Sequence, residues 1–453
     1  WSRKVRPCDN FKKSLLNLAT WLPEKVTFQN LDVVTAIARI LWSYGHKDLE
    51  FFLEDFVGAY NTLPVRSSHL KFAKGVCPDA SGKGIRAFQS LALPFGAISS
   101  VFGWNRLAEA IQRIMAYFGV PASRWVDDLT FVVPAKYRDR VVKLVNDLIQ
   151  SLIGWQLDGD KKQAGARVRS LGVMVQAPEN EDPFLFFQLP EDKRTKWKNI
   201  IRVAIDTGQC FQLSKLTGGL SWATCVVLGR GCRPYARQLF KQLDSGFVTL
   251  SWKAIESLKF FLKLLEEDRA RAIPMEIRRQ TWRILVWSDA TGKGGLGFVV
   301  DGGKGMKFWT SGDGRPALPK AEPREDQTSF FEALAAVASI WFCINFIKTH
   351  HSEYDIEILH FTDSQCVCGL IQRGSSPKND LNDLITGVLF AAAKKHMQTV
   401  TLWCTGKANL ADAPSRLSVD NNSKIRKEIE DLNRMGFLKM EWRWPSELWK
   451  WLN

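Results

Sequence analysis

The sequence predicts a multidomain chain of α/β and α+β type, on three observations. At 453 residues it exceeds one ordinary core, so two or three domains are expected. The first 180 residues alternate apolar strands with amphipathic helices, whereas residues 190–268 read as mostly helical. After residue 280 strands return with helices between them, the texture of a mixed sheet.

Each element follows from its local pattern. Residues 11–65 combine helical periodicity with one strand, "LEFFLEDF". "GWNRLAEAIQRIMAYF" (103–118) spaces its apolar residues as a helix does, and "RWVDDLTFVV" (124–133) then reads as a strand. "RDRVVKLVNDLIQSLI" (138–153) predicts a second amphipathic helix, and "RSLGVMVQ" a strand. Helices follow in "EDKRTKWKNIIRVAI", "LSKLTGGLSWATCVV" and "SWKAIESLKFFLKLLEED". "RARAIPMEIRRQ" (269–280) is charged, carries one proline and reads as a linker. Beyond it, "RILVWSDA" and "GLGFVV" predict two strands around a glycine turn. A helix at 328–347, a strand "IEILHFTD", a helix near 378–396 and a strand "TVTLWC" come next. The last thirty-odd residues predict a charged helix and a Trp-rich end.

Composition narrows the class. Hydrophobic residues are 45% and charged residues 24%, as in ordinary globular proteins. No unbroken run of eighteen apolar residues occurs, so neither a membrane span nor a membrane partner is expected. Residue 1 is Trp and no signal-peptide pattern follows; the chain is expected to be cut from something longer. The formal charge of +15 suits a polyanionic partner, nucleic acid foremost. Nine scattered cysteines, with no C-x-x-C pair, read as reduced thiols of an intracellular protein of cytoplasm or nucleus, without structural zinc.

Chemistry concentrates in two sets of acids. Asp127 and Asp128 sit side by side inside an apolar run, where strands disfavour Asp and an unpaired buried carboxylate is costly. A hairpin tip and a divalent cation would make the pair tolerable, with a third carboxylate from a distant segment. "FFLEDFVGAYNTLPV" offers Asp55 at a strand end, with Tyr60 five residues later. The second set is Asp289, Glu332, Asp363 and Asp412, in "WSDATG", "FFEALA", "FTDSQ" and "NLADAPSRL". Four acids at the ends of core elements would repel one another unless cations lay between them.

These segments resemble known motifs in order. "DFVGAY", "LALPFGAISSVF", "RWVDDL" and "GWQLDGDKKQAGARVRSLGVMV" resemble motifs A to D of reverse transcriptases, with Trp125 where a tyrosine is usual. "RKVRPCDNF" resembles the fingers strand. The segment after residue 280 resembles ribonuclease H, and "NLADAPSRL" is similar to the ending found in gypsy-type, pararetroviral and DIRS-type elements. The flexible-loop histidine of many ribonucleases H has no counterpart in "TGKANLAD".

The resemblance implies a right-hand polymerase followed by an RNase H-like mixed α/β domain. The expected bounds are 1–180 for fingers (cut short at residue 1) and palm, and 181–268 for thumb. The linker 269–280, an RNase H-like domain at 281–418 and a helical tail at 419–453 complete the chain. It implies two Mg2+ at Asp55, Asp127 and Asp128, and two more at Asp289, Glu332, Asp363 and Asp412, with Mn2+ as a substitute. Arg6, Tyr60, Gly96 and Lys161 would bind the nucleotide; a solvated charge is the other reading of Lys161. Lys193, Arg194, Lys196 and Lys198 would meet nucleic-acid phosphates, or simply form a solvated helix face. The implied activity is RNA- and DNA-templated DNA synthesis from deoxynucleoside triphosphates, with removal of RNA from the RNA–DNA hybrid. The implied partners are an RNA template, a DNA primer and the hybrid. A retrotransposon polymerase is the main expectation. A domesticated relative serving as a structural or nucleic-acid-binding subunit is the alternative; an RNA-dependent RNA polymerase fits Tyr60 and the second acid set less well.

Overall fold

The computed structural model describes residues 11, 15–26, 28–79, 84–210, 212–276, 280–303, 305–320, 327–346, 354–395, 397–420 and 422–443. Arg6 lies outside them. The chain divides into two compact units, residues 1–190 with 272–276, and residues 191–271 with 277–453. This division differs from the expected one. The helical segment after residue 190 belongs with the C-terminal sheet, and part of the expected linker is a strand of the first unit.

The first unit begins with the single turn α1 (Leu16–Ala19) and the helix α2 (Leu31–Ser43), followed by strand β1 (Leu49–Asp55). A small hairpin, β2 (Lys74–Pro78) and β3 (Ile85–Gln89), precedes the long helix α3 (Ile98–Tyr117). Then come β4 (Ala122–Trp125), β5 (Asp128–Pro134), α4 (Arg138–Asn146) and β6 (Gln163–Gly165). The sheet order is β4-β5-β1-β6, with β1 antiparallel to both neighbours. Its core forms where Phe52 and Phe131, paired across β1 and β5, stack at 4.2 Å. Trp104, Ile111 and Met115 of α3 bury against the same cluster.

Two local departures from the expected elements occur. The expected helix 138–153 ends its regular part at Asn146 and passes into a π-helical stretch, Asp147–Leu152. "RSLGVMVQ" is two strands, β7 (Arg167–Ser170) and β8 (Val173–Gln176), because Leu171 and Gly172 both take positive φ in a two-residue hairpin turn. With β9 (Phe184–Gln188) and β10 (Arg271–Pro274) they make a second sheet, ordered β10-β9-β8-β7.

The second unit opens with four helices, α5 (Glu191–Thr207), α6 (Leu213–Val226), α7 (Arg233–Asp244) and α8 (Trp252–Glu266). Its sheet is built from β11 (Gln280–Ala290), β12 (Gly295–Asp301), β13 (Lys307–Asp313), β14 (Tyr354–Thr362), β15 (Met397–Trp403) and β16 (Leu438–Lys439). The order is β15-β14-β11-β12-β13-β16; β14 and β15 run parallel to β11, while β12 is antiparallel to it. Helix α9 (Thr328–Phe346) crosses from β13 to β14 and supplies Phe330, Leu334, Val337 and Ile340 to the core. Helix α9 is long and apolar enough to cross a membrane, although Glu332 interrupts its apolar run. Here it is a largely buried core helix.

The stretch expected as one helix near 378–396 is α11 (Asn379–Ile385) and α12 (Val388–Lys394), separated at Gly387, whose φ is +91°. Helix α10 (Gln365–Arg373) before them was not anticipated. After α13 (Asp412–Leu417), the tail is no separate appendage. Its helix α14 (Ser423–Arg434) buries Leu432, which with Phe437 packs against Val299 and Trp309. Strand β16 then extends the sheet beside β13.

The four helices are fastened to the C-terminal part of their unit by polar bonds. Buried Asp383 of α11 accepts from Lys253 Nζ at 2.7 Å and from Gln238 Nε2 at 2.6 Å. Arg230 donates to the Thr399 carbonyl at 2.7 Å. Burial raises the Asp383 carboxyl, and Lys253 opposes that rise. Lys253→Met is therefore expected to destabilise this unit by roughly 2 kcal/mol, because it strands a covered carboxylate. Urea unfolding of the full chain measures it; an unchanged midpoint would mean that the ion pair contributes nothing.

Candidate functional site

The first acid set grows from the β1–β5 pairing. Asp55 ends β1 and lies directly across from Asp128 at the start of β5. Trp125 and Asp128 are partners in the β4–β5 hairpin, so Val126 and Asp127 are its two-residue tip. The hairpin lifts both adjacent aspartates to the mouth of an apolar sheet, which makes their charge tolerable. Asp55 is buried, Asp127 half-buried and Asp128 exposed. Val126 has φ +57°, a conformation that a β-branched side chain resists.

Tyr60 and Lys161 join this set. Tyr60 sits on a 3-10 turn, Ala59–Thr62, with its ring edge-on to Phe95 at 5.0 Å. Its phenol is raised by burial and then by the charge of Asp127. Lys161 Nζ is bonded to Asp55 Oδ2 and lies 3.9 Å from Asp158. The ammonium is raised chiefly by the Asp55 hydrogen bond, with Asp127 among the charges that reach it. The Lys161 side chain is 44% exposed and yet turned toward the acids. Gly96 has φ +95°, and its carbonyl accepts from Asn17 Nδ2 at 3.0 Å.

The fit of this set to a cation rests on one atom. Asp55 Oδ1 is buried and has no hydrogen-bond partner, a costly arrangement for a carboxylate oxygen. As they stand, no three or more acid, His or Cys side chains among the described residues are close enough to hold one metal ion. The Lys161 ammonium supplies the countercharge at Asp55.

The second acid set follows from sheet topology. Asp289 lies at the carboxyl end of β11, and Asp363 follows directly after parallel β14, so both stand at the same sheet edge. Asp412 opens α13, and Glu332 lies in the early turns of α9. Asp289 is buried and its carboxyl is pushed up to about 7, first by burial, with the charges of Asp363, Asp412 and Glu332 adding to the rise. Ser415 Oγ donates to Asp289 Oδ2 at 2.5 Å and opposes that rise. Arg416 donates to Asp412 Oδ1 at 2.7 Å. The charges of the other three acids thus all reach Asp289.

Sequence reasoning missed the groups that hold these acids. Asn409 Nδ2 donates to the Ser288 carbonyl at 3.0 Å and to Asp363 Oδ1 at 3.4 Å. Gly295 and Gly297 let α13 close onto β12: a Cβ on Gly297 would lie 2.3 Å from the Ser415 nitrogen. The "GLG" spacing was the available signal. His360, fully buried and pushed down to about 3 by burial, is a neutral core histidine bonded to Ser288 Oγ at 2.8 Å.

The basic residues of α5 fare unequally. Arg194 is largely covered and ion-paired with Glu191 and Asp268, so its charge is already engaged. Lys196 is exposed and lines, with Lys215, a cavity of about 350 Å3; Lys193 and Lys198 are half-buried. A cavity of about 450 Å3 lies at the other end of β1, by Leu49 and Pro134, away from the acids.

No family model and no curated protein matches the chain. Among solved structures, it is similar to the dRH form of a foamy viral protease-reverse transcriptase in complex with double-stranded DNA. That likeness has TM-score 0.41 and 13% identity, over 85% of this chain and 61% of that one. The same viral protein in complex with an RNA/DNA hybrid gives TM-score 0.39 and 12% identity, over 79% and 44%. Another complex with double-stranded DNA gives 0.41 and 12%, over 86% and 73%. The chain thus spans about three fifths of the first of these. No disulfide joins the described cysteines.

Proposed function

We propose that this chain is an RNA- and DNA-templated DNA polymerase that also cleaves the RNA strand of the hybrid it makes. The observation that supports it is two separate acid sets in one chain, each brought to a strand end by its own sheet. In the first, Asp55, Asp127 and Asp128 would hold Mg2+. In the second, Asp289, Glu332, Asp363 and Asp412 would do so. The bound cations would activate the primer hydroxyl or a water and neutralise charge on the transferred or cleaved phosphate. Tyr60 would press on the sugar of the incoming deoxynucleotide, and Lys161 would leave Asp55 to meet its phosphates. Basic side chains such as Lys196 would take the duplex backbone.

The Lys161–Asp55 bond favours a second reading, a nucleic-acid-binding subunit whose first acid set is closed by its own lysine. Primer extension on an RNA template, with and without Mg2+, separates the two. Mg2+-dependent DNA synthesis is expected; hybrid binding without extension would leave only the subunit reading.

Sugar choice gives a finer test. Tyr60→Ala is expected to admit ribonucleotides, raising their incorporation relative to deoxynucleotides about tenfold or more. Competing both nucleotide types on one primer measures it, and an unchanged ratio would make Tyr60 a packing residue only.

A further inference from the structure

Beneath the Val126–Asp127 tip lies a buried polar group that the acid chemistry does not itself require. Trp104 is completely buried, and its Nε1–H donates to the Val126 carbonyl at 2.9 Å. Arg124, 3% exposed, donates to the same carbonyl at 3.1 Å and to Asn105 Oδ1 at 2.9 Å. The charge of Glu109 reaches Arg124, but burial outweighs it and lowers the guanidinium, and the Arg124 Nε has no hydrogen-bond partner. Burying a guanidinium this way is costly. An aliphatic side chain would fill the space without that cost.

What both donors share is one carbonyl, and it belongs to the residue with the strained φ of +57°. Left alone, a valine there would relax toward the extended region and carry the next residue, Asp127, with it. Two buried donors converging on that carbonyl oppose the relaxation, since swinging away would strand both of them. The backbone beneath is tied down as well. The Arg124 amide donates to Gln29 Oε1 at 3.1 Å, and Gln112 bonds both Gln29 and the Ala122 carbonyl.

We infer that Trp104 and Arg124 are positioning residues: they hold the hairpin tip in its left-handed form and so fix Asp127 beside Asp55 and Asp128 for cation binding. This rests on the reading of the first acid set given above. Trp104→Phe tests it, because the ring remains and only the donor is lost. The experiment uses the full chain carrying Asp363→Asn, so that the first set reports, and takes Mn2+ affinity by calorimetry as the part abolished by Asp127→Asn. Trp104→Phe is expected to weaken that affinity about tenfold and to lower kcat for primer extension similarly, with KM for the deoxynucleotide little changed. Adding Val126→Gly, for which left-handed φ costs nothing, is expected to return most of the Mn2+ affinity.

Unchanged Mn2+ affinity in Trp104→Phe, with or without a lower melting temperature, would overturn the inference and leave Trp104 a packing residue. So would failure of Val126→Gly to restore any affinity. If the parent binds Mn2+ through Asp127 but extends no primer, the polymerase reading fails while the calorimetry still decides the positioning role. A parent with no Asp127-dependent Mn2+ binding overturns both.

Discussion

Asp127→Asn is expected to reduce primer extension by roughly 10³-fold or more while leaving RNA cleavage in a hybrid nearly intact. Asp127 shares the hairpin tip with Val126, and its charge reaches Tyr60 and Lys161. Losing it removes charge stabilisation where the transferred phosphate would be met. Stability should hold or rise, since one of three mutually repelling acids becomes neutral. The Tyr60 phenol, now raised by burial and by Asp127, should titrate lower in the variant, a readout independent of activity. Asp363→Asn should give the mirror result, cleavage lost and extension kept, because the two acid sets lie in different compact units and share no residue. Labelling primer and RNA strands of one hybrid reads both activities. Loss of both in well-folded Asp363→Asn would argue for a single shared centre.

The second large effect concerns Asp289 and pH. Its folded carboxyl titrates at about 7 against an ordinary 3.8, so the folded chain binds this proton more tightly than the unfolded chain does. The contribution is fully present below about pH 4 and is lost as pH rises to about 7. The loss is on the order of 3–4 kcal/mol. Melting in chelator should therefore show a stability decline across that window, and Asp289→Asn should flatten it. Added Mg2+ should restore stability above pH 7, where Asp289 is charged. An identical decline in Asp289→Asn would place its cause elsewhere.

The acids were legible because they violate their surroundings. Two aspartates inside "RWVDDLTFVV" have no packing reason to be there, and the hairpin tip at Val126–Asp127 is the answer the chain gives. Asp289 and Asp363 likewise close apolar strands, and parallel pairing of β11 and β14 puts them at one edge. What stayed hidden depends on contacts between distant segments. Trp104 reads as an ordinary apolar residue of a helix, and nothing local says its indole will meet Val126, 22 residues on. Arg194 reads as an exposed cation until Asp268 arrives from the turn after α8. "RSLGVMVQ" looks like one strand because Leu171 gives no hint of positive φ. The tail looked separable because its helix is mostly charged, yet Leu432, Phe437 and Trp442 dock.

The fastening of the four helices to the C-terminal sheet decides where the gene can be cut. A fragment starting at residue 281, the natural choice from sequence, would discard Lys253, Gln238 and Arg230 and leave Asp383 and the Thr399 carbonyl without them. It would also uncover the backbone of Phe390, against which Gly231 packs so closely that a Cβ would lie 2.7 Å from the Phe390 Cα. Phe390 would lose the Phe260 ring that it meets edge-on at 4.8 Å, and with it the stack of Phe260 on Tyr235. Such a fragment would expose a greasy, half-charged scar and precipitate, whereas one beginning at 191 carries its own lid.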